Sequence, residues 1–390
     1  MAHKLKTRLI HAGRGAARDI GPVNPPVMRA STILFDSITT WRDARKRRET
    51  ERLLSYGARG TETAFALEEL ITELEGGYRA QLFPTGLAAI AVTIMGYARA
   101  GGHVLFADSV YAPVRTICSH FLKPNNISYD FFKTDGSDFE EKLRPETQLV
   151  FAESPGSLLY EMLDLPEICR IAHERGIPVA VDNTWGSGWL YNPLELGADV
   201  SVIAATKYLC GHSDVMMGIM VANEKAWKQI GELPEALGQV SSADDASLVL
   251  RGMRTLSTRL AVHGQSAMTV AKWLQQRPEV KKVYYPGLAD HPRNDLYERD
   301  CKGGNGLLTI ELKPEYTLAQ AETFIDSLAL FGIGASWGGY ESLVLPANVT
   351  GARSATDWSG HGQFIRFHIG LEDVSDLLAD LEQGINTLNK

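Results

Sequence analysis

The chain has 390 residues, 44% of them apolar and 22% charged, with a formal net charge of −8. That length exceeds what one hydrophobic core organises, so two domains are expected, and the composition is that of an ordinary globular protein. The negative balance argues against a nucleic-acid surface as the main business, because phosphate binding needs a clustered basic face.

The start, MAHKLKTRLIHAGRG, has no apolar stretch suited to a signal peptide. No apolar run of about 18 residues occurs anywhere, so a cytoplasmic protein with no membrane partner is expected. PVNPPV (22–27) breaks any regular element, and residues 1–60 read as an extended arm. Within it RDARKRR (42–48) is read as a solvated helix face. From Thr63 the pattern changes: Phe65, Leu67, Leu70, Ile71 and Leu74 recur at helical spacing, and Gly76-Gly77 close the helix. Short apolar runs follow, HVLFA (103–107), QLVFAES (148–154), PVAVDNTW (178–185), DVSVIAATK (199–207) and GIMVAN (218–223), alternating with stretches such as Pro166 to Arg175. Repeated strand–helix units predict an α/β fold with a large, mostly parallel sheet covered on both faces, over residues 61–253. Beyond it a long helix (about 255–276), the strand GLLTIEL, a helix from Leu318 to Leu330 and the strand FIRFHIG predict a smaller C-terminal domain, 254–390.

Four cysteines, Cys118, Cys169, Cys210 and Cys301, stand far apart with no C-x-x-C pair, which argues against structural zinc or a disulfide frame. Ligands in open parallel sheets sit beyond the carboxyl ends of the strands. Two strand ends carry charge there: Asp182 in VAVDNTW and Lys207 in VIAATK. Alone, such a pair reads equally well as a plain ion pair. A third feature decides between the readings. LFPTGLAAIAV turns through Pro84-Thr85-Gly86 and opens a helix at Leu87, a place where backbone N–H groups and the helix dipole favour an anion. No G-x-G-x-x-G and no Walker lysine accompany it, which counts against a nicotinamide enzyme. An anion site with a strand-end lysine and a strand-end aspartate suggests pyridoxal 5′-phosphate (PLP). The lysine would carry the cofactor, the carboxylate would face its ring nitrogen and the helix start would hold its phosphate, with Thr206 adding a hydroxyl.

The stretches LEGG, FPTGLAAI, VDNTW, ATKYLCGHSD, RGMRTL, YPGL, SWGGYESL and RFHIGLED, in that order along nearly the whole chain, resemble the Cys/Met-metabolism family of PLP-dependent enzymes. The resemblance implies the aspartate-aminotransferase-like fold (PLP fold type I) and a homotetramer built from dimers. It implies that Lys207 and Tyr111 are catalytic, with Lys207 the cofactor-bearing lysine and Tyr111 stacked on the cofactor ring. Asp182, Gly86, Leu87 and Thr206 would complete the cofactor site, together with Tyr56 from the arm of a neighbouring subunit. Arg366 would grip the substrate carboxylate, and Ser336, Trp337 and Tyr340 would line the same pocket. One departure stands out: in SYGARGTET, Ala58 occupies the position where the family's arm motif has arginine, and either Arg59, which follows it, or another residue would have to supply that phosphate contact. Ala204 likewise stands where many relatives have serine.

Trp337 and Tyr340 in SWGGYESL resemble most the members that cleave L-cystathionine at Cβ. The resemblance therefore implies a small-molecule sulfur amino acid substrate and a carbon–sulfur lyase that releases homocysteine, pyruvate and ammonia. Its alternatives are γ-elimination from cystathionine or methionine, and β-elimination from cysteine conjugates or cysteine itself. Racemisation would be a side activity, and a cofactor-free scaffold is the reading from a different class.

Overall fold

The computed structural model describes residues 3–14, 21–48 and 50–389. Parts of the expected N-terminal arm, residues 1, 2, 15–20 and 49, lie outside the described residues, as does residue 390. Among the described residues, twelve strands form two sheets. The larger contains β1 (Arg79–Phe83), β2 (His103–Ala107), β3 (Ser128–Phe132), β4 (Thr147–Glu153), β5 (Val179–Asp182), β6 (Val200–Ala204) and β7 (Gly218–Ala222). Their order across the sheet is β1-β7-β6-β5-β4-β2-β3, and only β7 runs against its neighbours. Every residue of β2, β5 and β7 is buried, as near-continuous apolar runs require when helices cover both faces. β3 was not legible as a strand: SYDFF lies at the sheet edge, mostly half-buried, and lacks the apolar continuity of its neighbours.

The smaller sheet contains β8 (Val280–Tyr284), β9 (Leu307–Leu312), β10 (Gly332–Ile333), β11 (Leu343–Pro346) and β12 (Phe364–His368), in the order β10-β11-β12-β9-β8. Apart from the short parallel pair β10–β11 it is antiparallel. Helices Leu256–Leu274, Leu318–Asp326 and Val374–Ile385 pack their apolar faces into its core, through Ala267, Val270, Phe324, Leu377 and Leu381. The helix expected to reach Leu330 stops at Asp326. There Asp380 accepts the N–H groups of Ala329 and Leu330 at 2.9 and 2.8 Å, offering them a partner outside the helix. The arm holds helix Ile38–Arg47, whose only buried residue is Ala44, consistent with a solvated basic face.

The apolar run expected to be strand as far as Lys207 leaves the ladder at Ala204. Thr206 then binds Met217 in both directions: its hydroxyl donates to the Met217 carbonyl (3.2 Å) and accepts from the Met217 N–H (3.0 Å). Lys207 thus stands on a tight turn beyond the strand rather than on it, with its own N–H donating to Ala204 O at 3.1 Å.

Candidate active site

Because β1, β2, β4, β5 and β6 run the same way, their carboxyl ends share one edge of the large sheet, and antiparallel β7 begins at that edge. After β1, Thr85 caps helix Gly86–Tyr97, its hydroxyl accepting the Ala88 N–H at 3.0 Å. A Cβ on Gly86 would lie 2.6 Å from the Ala204 Cβ, and one on Gly218 would lie 2.2 Å from the Thr85 carbonyl oxygen. The helix start is therefore pressed onto β6 and β7 as only glycine allows at both places. Ala204 fits the same logic, since its Cβ fills the space against Gly86.

A cavity of about 510 Å³ opens at this edge, and the smaller sheet closes its other side. Nine of the residues singled out from the sequence line it: Gly86, Leu87, Tyr111, Asp182, Thr206, Lys207, Ser336, Trp337 and Arg366. Three do not. Tyr56 borders a separate cavity beside residues 240–244, Arg59 is ion-paired with Glu235, and Tyr340 is exposed near the His212 ring. Glu153, Ser157, Leu158, Thr184, Met216, Leu345 and Ala352 also line the cavity and were not anticipated. Only Glu153 carried a readable signal, because it ends the apolar strand QLVFAE as Asp182 ends VAVD.

The Lys207 amine donates to the Ser336 hydroxyl at 2.5 Å and lies 5.2 Å from the Trp337 ring centre. Burial, helped by the nearby Arg366 charge, lowers its pKa to about 8 against the pull of Asp182. Ser336 also receives Arg366 on its backbone carbonyl, at 3.2 Å, so one residue joins the lysine to the arginine. It does so at φ +86°, a region costly for a residue with a side chain and concentrated at functional sites. Two residues on, Gly338 lies so close to the Lys207 backbone that a Cβ there would stand 2.8 Å from its carbonyl carbon. Behind the lysine, Tyr208 packs on Trp337 and His368, and burial together with His263 pushes His368 down to about 3, leaving an uncharged wall.

Asp182 uses Oδ1 for both bonds from Thr184, to its N–H at 2.9 Å and its hydroxyl at 2.6 Å. Oδ2 has no hydrogen-bond donor among the described residues. Burial raises this carboxyl, while the Thr184 bonds and Lys207 oppose the rise. Glu153, its cross-strand neighbour, is pushed well up by burial and by Asp182, and accepts the Tyr111 N–H at 2.6 Å. Tyr111, a residue 46% exposed, is thereby fixed at its backbone while it lines the cavity.

A desolvated amine, a buried carboxylate with an unshared oxygen and a glycine-lined helix start meet the three demands of pyridoxal phosphate: a covalent anchor, a partner for the ring nitrogen and a phosphate seat. These features define a PLP-dependent enzyme of α/β fold. Residues 6–386 match the family described as Cys/Met metabolism PLP-dependent enzymes, and the chain belongs to that family. It is similar to the cystathionine β-lyase of Bordetella avium, 44% identical over 99% of this chain and 98% of that one. The cystathionine β-lyase MetC of Escherichia coli is 40% identical over 98% of each chain. Among solved structures, cystathionine γ-lyase from Lactobacillus plantarum complexed with L-serine superposes with a TM-score of 0.89, at 30% identity over 99% of this chain and all of that one. Among the described residues no helix is long and apolar enough to cross a membrane, and no cluster of three or more His, Cys, Asp or Glu side chains could hold a metal ion.

Proposed function

We propose that the chain is a carbon–sulfur lyase acting on L-cystathionine by β-elimination, consuming one water and giving homocysteine, pyruvate and ammonia as products. The observation that carries this reading is the seat of Lys207, hemmed by Ser336 at 2.5 Å and the Trp337 ring at 5.2 Å. γ-Elimination needs a second proton removed from Cβ, hence a lysine with room to swing further, and Trp337 crowds that path. Full-length similarity to cystathionine β-lyases points the same way.

When bound, the cofactor supplies an electron sink for the charge that develops at the substrate Cα. Lys207 would anchor it, and Asp182, through Oδ2, would keep its ring nitrogen protonated. The Gly86 and Leu87 N–H groups at the helix start would hold the phosphate. Tyr111, held at its backbone by Glu153, would cover the ring. Arg366 would bind the substrate carboxylate, ideally in a two-pronged pair, and Ser336 would hold that arginine in place. Lys207, whose amine is easily neutral with its pKa near 8, would take the Cα proton. The departing sulfur would be protonated by Lys207 or Tyr111. Ser336 and Trp337 confine the lysine to this path.

The second reading, γ-elimination, is favoured by the likeness to the L. plantarum γ-lyase structure. An end-point assay on L-cystathionine separates the two. Pyruvate with homocysteine is expected, whereas 2-oxobutyrate with cysteine would replace β-elimination by the γ reading. We further infer a cytoplasmic homotetramer in which the arm, 1–60, brings Tyr56 and Arg59 to a neighbouring copy. In this reading residues 61–253 form the cofactor domain and 254–390 the second domain, while Tyr340 stands at the substrate approach.

A further inference from the structure

Three residues before Tyr111, Asp108 follows β2 and is fully buried, yet it contacts neither the lysine nor the aspartate of the site. Its carboxylate gathers one distant segment. It accepts the Ser354 N–H at 2.8 Å, the Ala355 N–H at 3.0 Å, and the hydroxyls of Ser354 and Thr356 at 3.1 and 3.0 Å. Arg115 adds a charged bond at 2.6 Å and reaches the same segment itself, donating to the Ala352 carbonyl (3.1 Å) and the Ser354 hydroxyl (2.9 Å). Although burial raises the Asp108 carboxyl, the Ser354 N–H, Arg115 and the Ala355 N–H together hold it below the usual range, so it stays a carboxylate. Next to it, the buried Arg353 side chain is tied to Glu161 at 2.9 Å and to the Ser157 carbonyl at 2.6 Å.

The segment gathered in this way is part of the connection between β11 and β12. β11 contributes Leu345 to the cavity, β12 contributes Arg366, and Ala352 lines it directly. The large sheet therefore grips the smaller one beside the substrate end of the cavity. We propose that Asp108 is a positioning residue which, through Arg115 and residues 354–356, sets the distance between the Arg366 edge and the Tyr111 loop, and so the fit of the substrate. This rests on the reading of Arg366 as the substrate-carboxylate partner. Tyr111 has separate anchors: its own N–H on Glu153, and the Ser109 hydroxyl on the Glu153 carbonyl at 3.0 Å. Lys207, on the turn after β6, and Asp182, at the end of β5, belong to elements that make none of the latch's hydrogen bonds. Loss of the latch should therefore weaken substrate binding and leave the chemical step nearly intact.

The test uses PLP-saturated enzyme and two sets of changes, Asp108→Asn, and Ser354→Ala combined with Thr356→Val. With the thioether that wild type turns over best, Asp108→Asn is expected to raise KM about tenfold or more while kcat changes by less than about threefold. The cofactor absorbance should not change, and hydrogen exchange at the Ser354 and Ala355 amides should quicken. The Ser354/Thr356 pair should move KM and exchange the same way by a smaller factor, and it carries the test if Asp108→Asn does not fold. A lowered melting temperature with unchanged KM would overturn the proposal, leaving a merely structural joint, and so would unchanged exchange. If wild type cleaves no thioether, the lyase reading fails by itself. The affinity of the holoenzyme for glycine, followed by cofactor absorbance, then replaces KM and decides the latch separately.

Discussion

A lysine buried beside an arginine is held as a weak base, and this is the property on which the site turns. With its pKa lowered to about 8 from the usual 10.5, the Lys207 amine is largely neutral one unit above pH 8 and largely charged one unit below it. In the cofactor-free protein, labelling of Lys207 by an amine-reactive reagent, followed by peptide mapping, should rise to a plateau through about pH 8. A rise only near pH 10.5 would show an ordinary surface-like amine. At Arg366 the proposed carboxylate contact asks for a planar fork. Arg366→Lys should raise KM about ten- to hundredfold, the equivalent of about 1.5–3 kcal/mol of charge-assisted bonding, with cofactor absorbance kept. An unchanged KM would move the carboxylate contact elsewhere. Lys207, Asp182 and Arg366 were legible in the sequence because each is a charge set in or just beyond an apolar strand. Leu158, Leu345 and Ala352 were not, because an apolar residue that lines a cavity looks like any other apolar residue until distant segments meet.

Among the elements, the turn Ser336–Gly338 does more than line a pocket. Ser336 at φ +86° and Gly338 at φ +89° lay the backbone of the smaller sheet's approach against the backbone of Lys207. Gly338→Ala should cost about 1–3 kcal/mol in chemical denaturation, because the new Cβ would meet main-chain atoms that have nowhere to retreat. It should also weaken cofactor retention on dialysis, whereas a loss of stability with retention unchanged would separate the turn from the site. SWGGYESL carries two glycines at this turn, but which contact each serves depends on Lys207, more than a hundred residues earlier. The reversal of β7 was equally hidden. GIMVAN has the same apolar pattern as its parallel neighbours, and direction is set by the short connection after Lys207 and by the Thr206–Met217 bonds. By contrast, helix Leu256–Leu274 and strands β2 and β9 fall close to where period and composition put them.

At the scale of the whole molecule, the arm carries apolar side chains that the described residues leave open to solvent: Leu34 is 90% exposed and Ile38 63%. Assembly would cover them. Leu34→Asp should shift sedimentation toward smaller species, and an unchanged profile would place the subunit contact away from residue 34. Tyr56 and Arg59 lie outside the Lys207 cavity in their own chain, so in the proposed reading they would reach a cofactor only through such an assembly. The two sheets also divide the work. Within the Lys207 cavity, the groups suited to the cofactor, from Gly86 to Lys207, belong to the large sheet's edge, while Ser336, Trp337, Leu345 and Arg366 come from beside the smaller one. For descent with modification this partition matters: if the proposed roles hold, a lineage can alter which amino acid it consumes by drift in the last sixty residues while inheriting its coenzyme chemistry unchanged. Laboratory recombination of relatives at a crossover between the two sheets should likewise exchange substrate preference as a single cassette.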